Sequence, residues 1–72
     1  MSKSVNPRQL DAMLQQALSL QQNGALAEAA ELYRAILAAR PKHFDALQLL
    51  GALALSAGHL DEGIVLLERA TS

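Results

Sequence analysis

The sequence predicts an all-α chain of two antiparallel helical hairpins, four helices in all, and three observations predict it. Fourteen alanines and fifteen leucines supply 29 of the 72 residues, a composition rich in helix formers and poor in the residues that favour strands. Apolar residues recur at three- and four-residue spacing through four segments. Between those segments stand short stop and start signals: Asn23-Gly24, Arg40-Pro41 and Gly58-His59. Connections this short force consecutive helices to lie antiparallel and in contact.

The first helix opens at Asn6-Pro7-Arg8-Gln9. Asn6 can cap free amide hydrogens, Pro7 suits the first helical position, and Gln9 can reach back to complete a capping box. Leu10, Met13, Leu14, Ala17 and Leu18 form its apolar stripe, and Asn23-Gly24 stops it because glycine tolerates the left-handed backbone at a helix C-terminus. The second helix carries Leu26, Ala29, Ala30, Tyr33, Ile36 and Leu37 as its stripe. Glu28 lies near its positive start and Arg40 near its negative end, as the helix dipole favours; Pro41 ends it. The third helix is expected from about Phe44 to Ala57, with Ala46, Leu47, Leu50, Leu53, Ala54 and Ala57 apolar. The fourth runs from about Leu60 to the end, carrying Ile64, Leu67 and Ala70 on one side.

Composition excludes several functions. The chain has no cysteine, which removes disulfides, thiolate catalysis and thiolate metal sites. Six basic against seven acidic groups give no electrostatic reason to expect nucleic acid or an anionic membrane. The Met1-Ser2-Lys3-Ser4 start is polar, and no apolar stretch approaches the roughly 18–20 residues of a spanning helix. The most apolar window, Ala46–Ala57, is interrupted by Gln48, Gly51 and Ser56. A cytoplasmic location is the default expectation.

The two hairpins repeat one another. Sliding the chain until Pro7 falls on Pro41 also brings Asp11-Ala12 onto Asp45-Ala46 and Gly24 onto Gly58. The same offset superposes Leu26 on Leu60, Glu28 on Glu62 and Leu32 on Leu66. A helix–turn–helix unit with this period resembles the tetratricopeptide repeat (TPR) family, across roughly Leu10 to Ser72. The family's large-x-x-Leu-Gly-x-x-large pattern appears as Leu47-Gln48-Leu49-Leu50-Gly51-Ala52-Leu53-Ala54, with Ala54 small where a larger residue is usual. In the first copy Met13, Gln16, Ala17 and Leu20 match it more loosely, while Ala29, Tyr33 and Pro41 supply the small, aromatic and terminal proline features. In the second copy Gly63 replaces the usual alanine and Leu67 the aromatic, and Ala70 fits. Ala17 and Gly51 are the small residues expected to let the helices of one hairpin approach closely. The resemblance implies a segment of a right-handed superhelix. It divides the chain into a lead and cap at 1–9, a first repeat at 10–43, and a second at 44–72 that stops before its terminal proline.

A finer resemblance rests on Ala29-Ala30-Glu31-Leu32-Tyr33-Arg34-Ala35-Ile36-Leu37, followed by Pro41, His43, Asp45-Ala46-Leu47 and Leu49-Leu50-Gly51. This stretch is similar to the N-terminal TPR arms of bacterial proteins resembling O-linked N-acetylglucosamine transferases, the SPINDLY-like proteins. Nothing of a catalytic domain of that kind is present in the 72 residues.

No catalytic, cofactor or metal site is expected. His43 and His59 stand beside different turns, with Asp45 and Asp61 two positions on from each. Their separation is far wider than the three- or four-residue spacing that a zinc pair on a helix needs. Both histidines read as turn or helix-start residues near solvent. Ser19 and Ser56 have no histidine at a spacing that would activate a nucleophile. Glu28, Glu31, Asp61, Glu62 and Glu68 suit solvated helix ends and faces. The glycines are too dispersed to cradle a phosphate, and Tyr33 and Phe44 read as packing residues rather than stacking platforms.

What remains is surface. In TPR arrays the first helices of successive repeats line a concave groove that holds partner peptides or helices. Carried over, the groove would show Asp11, Leu14, Leu18 and Gln21 from the first helix and Asp45, Gln48, Ala52 and Leu55 from the third. Leu14, Leu18 and Leu55 either line this groove or simply pack, covered by the N-terminal segment. An apolar groove with amide groups and rim carboxylates suits a neutral or mildly basic peptide. The Lys, Arg and Asn of carboxylate-clamping TPRs are missing from these positions. Gln15 and Leu49 stand where the asparagine ladder of the glycosyltransferase arms would be.

The sequence thus points to a protein or peptide partner, without nucleic acid, membrane or cofactor. The role is a non-catalytic interaction module or, alternatively, the substrate-presenting arm of a larger bacterial enzyme such as an O-GlcNAc-transferase-like glycosyltransferase. Arrays of this kind usually need three or more repeats and a polar cap. Helix four is expected to expose Leu66, Val65 and part of the Ile64–Leu67 stripe. The chain would then continue into further repeats or associate with itself through that helix.

Overall fold

The computed structural model of the chain describes residues 6–71. The expected residues 1–5 of the lead, and Ser72, lie outside the described residues. Four α-helices follow in order: α1 Pro7–Gln22, α2 Leu26–Ala39, α3 Phe44–Ser56 and α4 Leu60–Thr71. No strand occurs among the described residues. Each helix packs against its neighbour in the chain, so α2 touches both α1 and α3, whereas α4 has α3.

Local chemistry sets the helix ends. At the start of α1 the Gln9 amide N–H donates to Asn6 Oδ1 at 2.9 Å, and the Asn6 N–H donates to Gln9 Oε1 at 3.1 Å, a complete capping box. The α1–α2 and α3–α4 turns are near copies. Gly24 and Gly58 have φ of 84° and 86°, the left-handed region that an L side chain resists. The next amide then turns back onto the helix: Ala25 N–H to the Leu20 carbonyl and His59 N–H to the Ala54 carbonyl, both at 2.8 Å. Such bonds satisfy carbonyls that the helix end leaves open. Ala57 is the C-cap of α3 rather than a member of its apolar stripe, and it is exposed. The glycine turn captures the last carbonyls one residue earlier than apolar spacing suggests.

At α3, His43 is the N-cap. Its Nδ1 accepts the Ala46 N–H at 3.1 Å, which gives the helix-start histidine a specific structural task. Glu28 sits in the first turn of α2, as the dipole favours, and Arg40 is its C-cap.

One contiguous core joins the hairpins. It contains Leu10 and Ala17 of α1, Ala29, Ala30, Tyr33 and Ile36 of α2, Ala46, Leu47, Leu50 and Leu53 of α3, and Leu66 of α4. Tyr33, Ile36 and Leu47 are the largest fully buried side chains. Burying Ile36 and Leu47 contributes about 1.5–3 kcal/mol each.

Three expectations change. On α4 the inward side is Gly63, Leu66, Leu67 and Ala70, while Ile64 is 50% exposed. Leu66, expected to be exposed, is only 6% exposed, although Val65 does face solvent. α4 turns the same side inward as α2, whose Ala29, Tyr33 and Ile36 stand at the positions of Gly63, Leu67 and Ala70, and Ile64 is left in solvent because no further helix follows α4 among the described residues to cover it. Phe44, expected to pack, is 53% exposed at the first position of α3.

Candidate functional site

The predicted groove residues fall on two helices that α2 links into one core. On α1, Asp11 is exposed and Leu14, Leu18 and Gln21 are half-buried. On α3, Asp45, Gln48 and Ala52 are exposed and Leu55 is 36% exposed. Within each helix the spacing of three, four and three residues places the four side chains on one face.

Several of these side chains already have structural partners. Leu14 packs against the core. Gln21 Oε1 accepts the Tyr33 hydroxyl proton at 2.8 Å, joining α1 to α2. Burial raises the Tyr33 hydroxyl above its ordinary pKa, because the charged form would lose solvation there. Leu55 lies over Gly63: a β-carbon added at Gly63 would meet the Leu55 side chain at 2.7 Å and the Gly51 carbonyl oxygen at 3.0 Å. Leu67 lies in the same way over Gly51, at 2.9 Å from an added β-carbon. Real β-carbons do not tolerate such approaches. Gly51 therefore permits close packing as expected, but it shares that task with Gly63, whose importance apolar spacing does not register.

A second surface feature lies on the other side of α3. A recess of about 350 Å³ opens between α2, α3 and the start of α4, lined by Leu26, Ala30, Leu50 and Leu53 among others. Arg34 Nη2 of α2 donates to Glu62 Oε2 of α4 at 3.4 Å beside it. Both side chains are about half exposed, so the pair contributes roughly 0–1 kcal/mol.

Among the described residues no three His, Asp or Glu side chains gather as a metal site would need. Nor does any buried side-chain nitrogen or oxygen among them lack a hydrogen-bond partner. No helix there is long and apolar enough to cross a membrane.

Paired antiparallel helices, joined by two equivalent glycine turns and stacked through a shared core, define a helical-hairpin repeat protein. The tetratricopeptide repeat family model matches residues 20–72, and the chain belongs to that family. Such repeats generally mediate protein–protein interaction and are generally non-catalytic. No significant match was found among curated proteins or among solved structures.

Proposed function

We propose that this chain is a non-catalytic interaction module that holds a peptide or helix of a partner against the face formed by α1 and α3. We assign residues 10–43 and 44–72 to its two repeats, after a lead and cap at 1–9. The carrying observation is that Leu14 and Leu18 keep partial exposure on the same face of α1 as Asp11. The corresponding face of α3 adds Asp45, Gln48, Ala52 and Leu55. Apolar surface beside amides and two carboxylates suits a neutral or mildly basic segment and disfavours an acidic one. A peptide-library pulldown tests this with Leu14→Glu and Leu55→Glu, folding being checked by circular dichroism. Both variants should lose the retained peptides; retention by both places binding elsewhere.

A second reading concerns α4. Ile64 is 50% exposed, whereas Ala30, its counterpart in the first repeat, is 7% exposed beneath α3. An apolar face at this position favours covering by a further repeat or a second copy. The larger context we propose is bacterial and cytoplasmic, with the substrate-presenting arm of a glycosyltransferase as the alternative role. The Ala29–Leu37 stretch supports that alternative, and the missing asparagine ladder weighs against peptide clamping of that kind. The reading frame beyond Ser72 discriminates: further repeats alone favour the scaffold, and a nucleotide-sugar transferase domain favours the arm.

A further inference from the structure

We infer that the recess between α2, α3 and the start of α4 is a second binding surface, which seats a bulky apolar side chain flanked by a lysine or arginine of a partner protein. It is distinct from the face proposed above. At about 100° per residue along α3, Leu50 and Leu53 project on the side opposite Gln48, Ala52 and Leu55. A partner engaged there would leave the α1–α3 face free.

The floor is apolar. Ala30, Leu50, Leu53 and Ala54 are all buried in the core yet line the recess, and Leu26, 41% exposed, stands at its mouth. At about 350 Å³ its volume sits at the small end of ligand-sized pockets, suited to one large side chain rather than a cofactor. The rim supplies the charge preference. Arg34 is paired with Glu62, but Glu31 on the same rim has no ion-pair partner among the described residues. Beside the His59 imidazole, the charged side chains of the rim are Arg34, Glu62 and Glu31, and an incoming cation meets the one carboxylate left unpaired, Glu31.

The repeat explains why the recess is here. One period earlier, Gln16, Leu20 and Glu28 stand at the positions of Leu50, Ala54 and Glu62, and they line a more open hollow. There Gln16 replaces Leu50, and α1 has no preceding helix among the described residues to build the facing wall. The apolar recess thus belongs to the junction between two hairpins.

The test uses three probes with one apolar body: 4-phenylbutylammonium, 4-phenylbutanol and 5-phenylpentanoate, titrated into methyl-labelled protein and followed by NMR. The ammonium should give saturable shifts at the Leu50, Leu53, Ala30 and Ala54 methyls, with the alcohol weaker and the carboxylate weakest. Glu31→Gln should reduce the preference for ammonium by about two- to fivefold, the range of a single exposed charge pair. Ala27→Trp and Ala57→Trp place bulk at two exposed rim positions and should abolish the shifts while leaving the melting transition in place. Equal binding of the carboxylate, shifts confined to Leu14, Leu18 or Ile64, or undiminished binding in both tryptophan variants would each overturn the inference.

Discussion

The two hairpins solve the same packing problem with different chemistry. In the first, Ala17 of α1 and Ala29 of α2 are both fully buried in the shared core, and the Tyr33 hydroxyl reaches Gln21 across the helices. In the second, the equivalent positions one repeat later are Gly51, Gly63, Leu67 and Leu55. Glycines replace the methyl groups, and the two leucines fold into the space that the missing β-carbons leave. One hairpin carries methyls at these positions and is latched by a hydrogen bond; the other has leucines over glycines and no room for an added β-carbon at either. A repeat keeps the spatial requirement while leaving the means open, because small residues and their covering side chains change together.

The largest expected effect comes from exchanging the small residues. Gly63→Ala should cost about 1–3 kcal/mol, because its methyl meets Leu55 at 2.7 Å and the unyielding Gly51 carbonyl at 3.0 Å. This loss must outweigh the roughly 1 kcal/mol that alanine gains over glycine inside a helix. Ala29→Gly in the other hairpin forfeits that propensity with no clash relieved. Urea unfolding of both variants reads the difference, and a Gly63→Ala protein more stable than the parent would show that the hairpins are spaced alike.

A smaller effect distinguishes the latch. Tyr33→Phe should cost about 1 kcal/mol at neutral pH, the net worth of one hydrogen bond. It should also alter the alkaline limb of stability. Burial raises the folded-state pKa of Tyr33 above that of the unfolded chain, which is about 10. Above pH 10 the unfolded state then holds fewer protons than the folded one, so this contribution is intact below that pH and falls as pH rises. Thermal melts between pH 8 and 11.5, spanning that value, should show a steeper alkaline decline in the parent than in Tyr33→Phe. Parallel curves would remove the burial effect from the latch.

The smallest effect on the folded monomer, within about 0.5 kcal/mol, is expected from Ile64→Glu, because that side chain is half in water already. Its consequence lies in association. Gln16 and Ser19 give α1 a polar outer side where α3 has buried Leu50 and Leu53, so the two ends of the stack differ. Sedimentation should show concentration-dependent association of the parent abolished by Ile64→Glu and unaffected by Gln16→Glu. A parent that stays monomeric would leave the α4 face to a further repeat rather than to a second copy.

Much of this molecule is legible residue by residue. The capping box at Asn6 and Gln9, the glycine turns at 24 and 58, and the stop at Pro41 each depend on atoms within a few positions of one another, and local chemistry suffices to predict them. Most core positions of α1 to α3 follow from spacing, because a helix surrounded by neighbours buries its most apolar side. The candidate groove was legible only as a set of positions. That Gln21 already serves Tyr33, and that Leu55 already covers Gly63, depends on partners well apart in the chain meeting across a hairpin.

The fourth helix marks the boundary most clearly. Spacing alone favours Ile64, Leu67 and Ala70 as the inward side, since apolar patterns register side chains and Gly63 has none. Gly63 sits against α3 beneath Leu55, Leu66 is buried, and Ile64 and Val65 stay in solvent where no later helix among the described residues covers them. The recess at the α2–α3–α4 junction is likewise a product of hairpin stacking, drawing residues from Leu26 to Glu62 into one hollow. The amino-acid sequence by itself determined four helices, their ends and their pairing as repeated hairpins, because those rest on local hydrogen bonding and backbone sterics. Only the tertiary structure decided which side of α4 is covered, which polar groups are occupied and where two hairpins leave a cavity, because those depend on the distance between helix axes.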